Sequence, residues 1–156
     1  MQHEYIDQPE DLVIIGLSTR TSPATAATAI PALWQRFLAN PPGNHLERHA
    51  SDAAVYAVYS DYQSDFQGEY TLTLGVAVDP DARVPDDLRR VRVPRGRYAC
   101  FHAQGDPREV IWRTWTFINE EWEQRAGRRY IADVERYDPQ TLGAREVSAD
   151  ILVGLA

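Results

Sequence analysis

The chain carries one strand pattern twice. "TLTLGVA" (Thr71 to Ala77) aligns without a gap on "DILVGLA" (Asp150 to Ala156): Leu72 meets Ile151, Leu74 meets Val153, Gly75 meets Gly154 and Val76 meets Leu155. With one residue of difference in turn length, Tyr59 meets Tyr137 and Ala57 meets Glu135. A repeat of roughly 70 residues is too long for a solenoid unit. It implies instead two copies of one α+β module within a single fold. Such a pair leaves a cleft between its copies, and ligands favour clefts of this kind.

The flanking residues supply the rest of each module. "LVIIGLSTR" (Leu12 to Arg20) is apolar and β-branched, so a strand. In "SPATAATAIPALWQRFLAN", Ile30, Leu33, Trp34 and Phe37 fall on one helical face, and "NPPGN" (Asn40 to Asn44) ends that helix. "AVYAVYSDY" (Ala54 to Tyr62) and "EYTLTLGVAV" (Glu69 to Val78) are the next two strands. "DPDARVPDDLRRVRVPRG" (Asp79 to Gly96) is polar and rich in Pro and Asp, and is expected to be a connection.

The order then restarts. "RYACFHAQG" is a strand. "DPREVIWRTWTFINEEWEQR" is a helix with Asp106 as N-cap and Pro107 in its first turn. Ile111, Trp115, Ile118 and Trp122 form one stripe expected in the core, with Trp34 in the same role on the first helix. "YIADVERYD" (Tyr130 to Asp138) and "VSADILVGLA" are strands. The fold class is therefore α+β: a duplicated β-α-β-β module with an antiparallel sheet and a central cleft. It forms one domain over 1–156, with repeat one at about 12–78, a linker at 79–96 and repeat two at about 97–156.

The duplication isolates one residue. Ala57 in the first copy corresponds to Glu135 in the second, so a methyl faces a carboxylate where the surroundings match. Residues two apart on a strand share a face, which groups Ile131, Asp133, Glu135 and Tyr137. A carboxylate among apolar and aromatic groups costs several kcal/mol unless paired, and tends to keep its proton. A cationic ligand relieves that cost, and aromatic walls attract it further. Candidate walls are Tyr137, Tyr59, Tyr70 and Trp112, the last because it lies off the apolar stripe of its helix. The residues alone leave a structural reading equally open, in which Glu135 pairs with Arg97, Arg113 or Arg136. Asp133 is expected to be a strand-edge hydrogen-bonding group.

Other chemistries find little support. "HLERH" has histidines at His45 and His49 but lacks the zincin glutamate and a third ligand, so no metal is expected. No Gly-rich phosphate loop or nucleophile-elbow serine is present, and no cofactor is expected. The formal net charge of −7 disfavours general nucleic-acid binding, although all 16 basic residues are arginine. The single cysteine, Cys100, excludes an internal disulfide and reads as a buried, inert thiol. No apolar run approaches the ~18 residues of a membrane span, and the N-terminus lacks a signal-peptide pattern. A cytoplasmic location is expected.

"IPALWQRF" (Ile30 to Phe37), "YAVYSDYQSDFQGEYTLTLG" (Tyr56 to Gly75) and "YIADVERYD" resemble the GyrI-like effector-binding superfamily, the ligand domain of AraC-type and MerR-type multidrug regulators. The chain is most similar to the stand-alone, integron-associated effector-binding branch. The resemblance covers roughly residues 10–156 and implies a fold of duplicated SHS2-like modules. A family motif of the "DFExY" kind, whose acid contacts cationic ligands, carries over to "DVERY". It makes Glu135 the implied anchor, with Tyr137 beside it and Val134 in place of the usual aromatic. The implied function is binding of amphipathic, cationic or aromatic small molecules, signalled through a protein partner such as gyrase or through a homodimer. The alternative implied by some relatives is hydrolysis of electrophilic, cyclopropane-containing compounds with the same Glu and Tyr.

Overall fold

A computed structural model of the chain describes residues 1–41 and 53–156. His45 and His49, which raised the metal question, lie outside the described residues. Eight strands and two helices follow in chain order: β1 (His3–Gln8), β2 (Leu12–Thr21), α1 (Ala26–Ala39), β3 (Val55–Ser60), β4 (Tyr70–Val78), β5 (Arg89–Val93), β6 (Gly96–Gly105), α2 (Val110–Thr116), β7 (Arg128–Tyr137) and β8 (Val147–Leu155).

One antiparallel sheet holds all eight strands in the order β1-β6-β8-β7-β3-β4-β2-β5. The two modules are visible in that order. Strands β2, β3 and β4 with α1 form one; β6, β7 and β8 with α2 form the other; β3 and β7 join them at the centre. Ala57 pairs directly with Glu135 across this seam. The two residues that the duplication equates are therefore cross-strand partners, and the pseudo-twofold axis runs between them.

Two strands exceed the expected modules. β1 forms from the N-terminal segment that reads as merely polar. β5 forms inside the expected linker, because Val91 and Val93 alternate with Arg90 and Arg92 and pair along β2. Each edge strand precedes one module yet pairs with the other, β1 on β6 and β5 on β2. This exchange interlocks the modules. Ile6 and Val93, from opposite sheet edges, meet Tyr98, Val134 and Leu152 in one core beneath the sheet, so the sheet curls strongly.

Both helices cover the other face. On α1, Leu33 and Phe37 are buried against Leu72, Leu74 and Tyr137. Pro31 lies inside α1, where its ring removes the hydrogen bond that would close on Ala27. α2 is shorter than the residues suggest. The first turn closes on Asp106, whose carbonyl accepts from Val110 N and whose side chain accepts from Arg108 N, before the regular helix begins. Phe117–Glu121 then widens into a π-helical turn, with Trp122 N donating to Phe117 O across five residues. Ile118 and Trp122 pack on Phe101 and Ile151 as the stripe requires.

Close approach at the sheet explains one matched glycine. A Cβ on Gly16 would lie 1.9 Å from the Leu74 carbonyl oxygen, and one on Gly75 would lie 2.2 Å from that of Ile15. β2 and β4 can sit in this register only where both residues lack side chains.

Candidate functional site

Between α1 and α2, over the central strands, lies a cavity of about 1000 Å³. Its walls are the helix faces that the sheet does not consume. α1 contributes Ile30 and Trp34, α2 contributes Ile111 and Trp115, and the β3–β4 region contributes Tyr59, Tyr62 and Tyr70. Glu135 and Tyr137 lie at the floor.

Glu135 is 2 % exposed. Its Oε2 accepts from the Tyr59 hydroxyl and from the Trp115 indole Nε1, each at 2.7 Å, and its Oε1 accepts from the Tyr137 hydroxyl at 2.6 Å. Tyr59 and Tyr137 are the duplicated pair, so each module donates one hydroxyl to the single carboxylate near the axis. All three donors are neutral. Among the described residues, none of the arginines considered as partners pairs with it. Arg136 bonds Asp150 at 2.8 Å, Arg113 bonds Glu109 at 3.3 Å, and Arg97 lies over the Tyr5 ring at 4.6 Å. Burial raises the Glu135 carboxyl above its ordinary range, and the Tyr137, Tyr59 and Trp115 donors offset part of that rise. Tyr59 and Tyr137 are themselves raised well above the usual phenol value, by burial first and the neighbouring carboxylate second. They stay protonated and remain donors.

Aromatic rings surround this floor. Tyr59 packs 5.3 Å from Trp115 and 5.5 Å from Tyr70, and Trp34 packs edge-on to Tyr137 at 5.2 Å. Tyr70 thus buttresses Tyr59 and also lines the cavity. Trp112 lies at the cavity mouth and is 58 % exposed.

Three sequence expectations change here. Trp34 and Trp115, expected in the core, line the cavity; only Trp122 of the three is core. The π-helical turn lets the first part of the α2 stripe face the cleft while Ile118 and Trp122 face the sheet. Ile131 does not share the face of Glu135, being 52 % exposed. The β7 register shifts between Arg128 and Asp133, with Tyr130 in the left-handed region at φ 51°, which ends the two-residue alternation. Asp133 is not at a sheet edge. It is fully buried, bonded to Arg128 Nη2 at 3.0 Å, the Tyr62 hydroxyl at 2.6 Å and Gly154 N at 2.9 Å.

That bulge folds Arg128 back over Asp133 and against the cavity wall. Its Nη1 donates to Asn119 Oδ1 at 2.6 Å, and its guanidinium lies over Tyr130 at 4.3 Å. Arg128, Asn119 and Tyr62 escape sequence reasoning. No periodicity marks a residue that reaches its partner through a bulge.

The comparisons with known proteins agree with this architecture. Residues 5–155 match the family model Cass2, the integron-associated effector binding proteins. The chain belongs to that family of effector-binding proteins. It is 30 % identical over 144 residues to a Bacillus subtilis (strain 168) protein, YobU, whose name places it among transcriptional regulators; the match covers 90 % of this chain and 89 % of that one. Among solved structures, the Vibrio cholerae integron cassette protein VCH_CASS2 superposes with a TM-score of 0.67 at 22 % identity, covering 97 % of this chain and 95 % of that one. SAV2435, solved bound to tetraphenylphosphonium, superposes with a TM-score of 0.78 at 13 % identity, covering 100 % and 94 %. Among the described residues, no helix is long and apolar enough to cross a membrane.

Proposed function

We propose that the chain binds amphipathic organic cations in the cleft, with Glu135 as the anchoring charge and Tyr59, Tyr137, Tyr70, Trp34, Trp112 and Trp115 as the aromatic walls. One observation carries the reading: a fully buried carboxylate at the floor of a large aromatic cavity, held by three neutral donors and, among the described residues, without an ion-pair partner. The donors fix its orientation but leave its charge uncompensated, and a cation entering the cleft supplies the compensation. The rings supply cation–π attraction of about 0.5–2 kcal/mol per contact. That SAV2435 is solved with tetraphenylphosphonium, a bulky aromatic cation, supports the same ligand class. Binding at the seam of the two modules would be read by a partner protein rather than by DNA directly.

The test is a tryptophan-fluorescence titration with tetraphenylphosphonium and with neutral triphenylphosphine oxide, in the native chain and in Glu135→Gln. Preference for the cation in the native chain, abolished in the variant, is the expected result. Equal binding of both compounds by both proteins refutes the anchoring role. Product formation from an electrophilic ligand, followed by mass spectrometry, would move the reading from binding to hydrolysis.

A further inference from the structure

On the sheet face away from the helices, three strands bring a second set of functional side chains together. Glu4 on β1 stands directly opposite Cys100 on β6, and His102 follows two residues along the same face. One ligand atom from each, a carboxylate oxygen, the thiol sulfur and a ring nitrogen, all lie within 4.8 Å of one another. His102 Nε2 is 3.1 Å from Glu4 Oε1. The other ring nitrogen, Nδ1, is hydrogen-bonded to Asp150, which stands opposite His102 on β8. Asp150 is held in turn by Arg136 Nη2 at 2.8 Å.

We propose that Glu4, Cys100 and His102 form a binding site for a borderline divalent transition-metal ion, for which Zn²⁺ is the best chemical match. Sulfur, imidazole nitrogen and carboxylate are Zn²⁺ donors, and three protein ligands leave one position for water. At ordinary Zn–ligand lengths a tetrahedron needs donors roughly 3.3–3.6 Å apart. The Glu4–His102 pair is already near that spacing. Cys100 is buried and fixed, whereas Glu4 and His102 are exposed and can swing to close the remaining distance. The Asp150–His102 bond places the ring proton on Nδ1, the carboxylate–histidine–metal arrangement of many zinc sites, and a metal ion held between Nε2 and Glu4 Oε1 would replace the contact those two atoms make with each other. Charge also balances. Glu4 and a thiolate offset the divalent ion, while Asp150 and Arg136 offset each other. Burial pushes the Cys100 thiol up to about 11, so the metal-free protein carries a thiol there and a bound ion displaces its proton.

The site is remote from the cleft, and its test does not depend on the cleft's ligand. Tag-free, metal-stripped full-length chain is titrated with Co²⁺ and then with Zn²⁺. One Co²⁺ per chain, a thiolate-to-metal charge-transfer band in the near ultraviolet and its loss on adding Zn²⁺ are expected. His102→Ala and Glu4→Gln lie at exposed positions and keep the fold. Each is expected to weaken Co²⁺ binding at least tenfold. Cys100→Ser is expected to abolish the band. Asp150→Asn, at a positioning residue, is expected to weaken binding by about 10–100-fold while the band keeps its wavelength. No charge-transfer band in the native chain, or Co²⁺ affinity unchanged in His102→Ala, overturns the proposal. Should Cys100→Ser fail to fold, the His102→Ala affinity decides it alone.

Discussion

Replacing Glu135 by Gln removes a charge from the cavity floor while keeping its shape. Oε2, which accepts from both Tyr59 and Trp115, becomes the amide oxygen. The amide NH₂ then faces the Tyr137 hydroxyl, which rotates to accept. The packing therefore survives. A monovalent cation about 4 Å from a carboxylate gains ~4 kcal/mol at an effective dielectric constant of 20. Part of that is spent in ionising a carboxyl whose burial favours the proton, so ~4 kcal/mol is an upper limit, and half of it is a change of ~30-fold in affinity. Fluorescence titration should show tetraphenylphosphonium weakened by that factor, with triphenylphosphine oxide changed less than ~3-fold. Urea unfolding at neutral pH should show the variant as stable as the native chain or slightly more so, because a desolvated charge is gone. The reasoning fails if both ligands weaken equally, since the residue would then shape the cavity rather than charge it. It also fails if the variant loses more than ~2 kcal/mol of stability, since Glu135 would then be a structural keystone.

Because burial raises the Glu135 carboxyl, affinity for a permanently charged cation should rise with pH through that raised value and then level off; calorimetry in buffers of different ionisation enthalpy should show proton release on the rising limb. The same shift makes this carboxyl's contribution to stability largest below the unfolded carboxyl pKa, and stability should fall as pH rises through the folded value, an effect absent from Glu135→Gln in urea melts. Tyr59→Phe removes a donor that holds the carboxylate down, so the affinity midpoint should move to higher pH, at a stability cost of about 1.5–3 kcal/mol. Asp133→Asn strands the buried Arg128 guanidinium and should cost ~3–5 kcal/mol in chemical denaturation, far more than loss of an exposed pair such as Arg113–Glu109. Gly16→Ala should prevent folding, judged by loss of the circular-dichroism spectrum, because its Cβ would sit inside the Leu74 carbonyl.

The sequence by itself determined the duplication, both helices, the six module strands and the singular position of Glu135. These features are local or nearly so. Alternation marks the strands, a helical stripe marks α2, and the correspondence of Ala57 with Glu135 follows from alignment of two segments. Tyr59 and Tyr137 were legible for the same reason: each sits two residues beyond the aligned position. Tertiary structure decided what depends on pairing across the chain. β1 and β5 are strands because each finds an edge on the opposite module; the alternation of Val91 and Val93 in β5 spans only five residues inside a Pro- and Asp-rich stretch. Trp34 and Trp115 face a cavity because the helices stand apart over the seam, while helical spacing alone cannot tell a core wall from a cleft wall. The Arg128–Asp133 pair depends on a bulge that cancels strand alternation. Where the sheet places Arg97, Arg113 and Arg136 likewise decides their partners, which are Tyr5, Glu109 and Asp150 rather than Glu135. A residue's neighbours along the chain define its face; only the assembled sheet defines what that face meets.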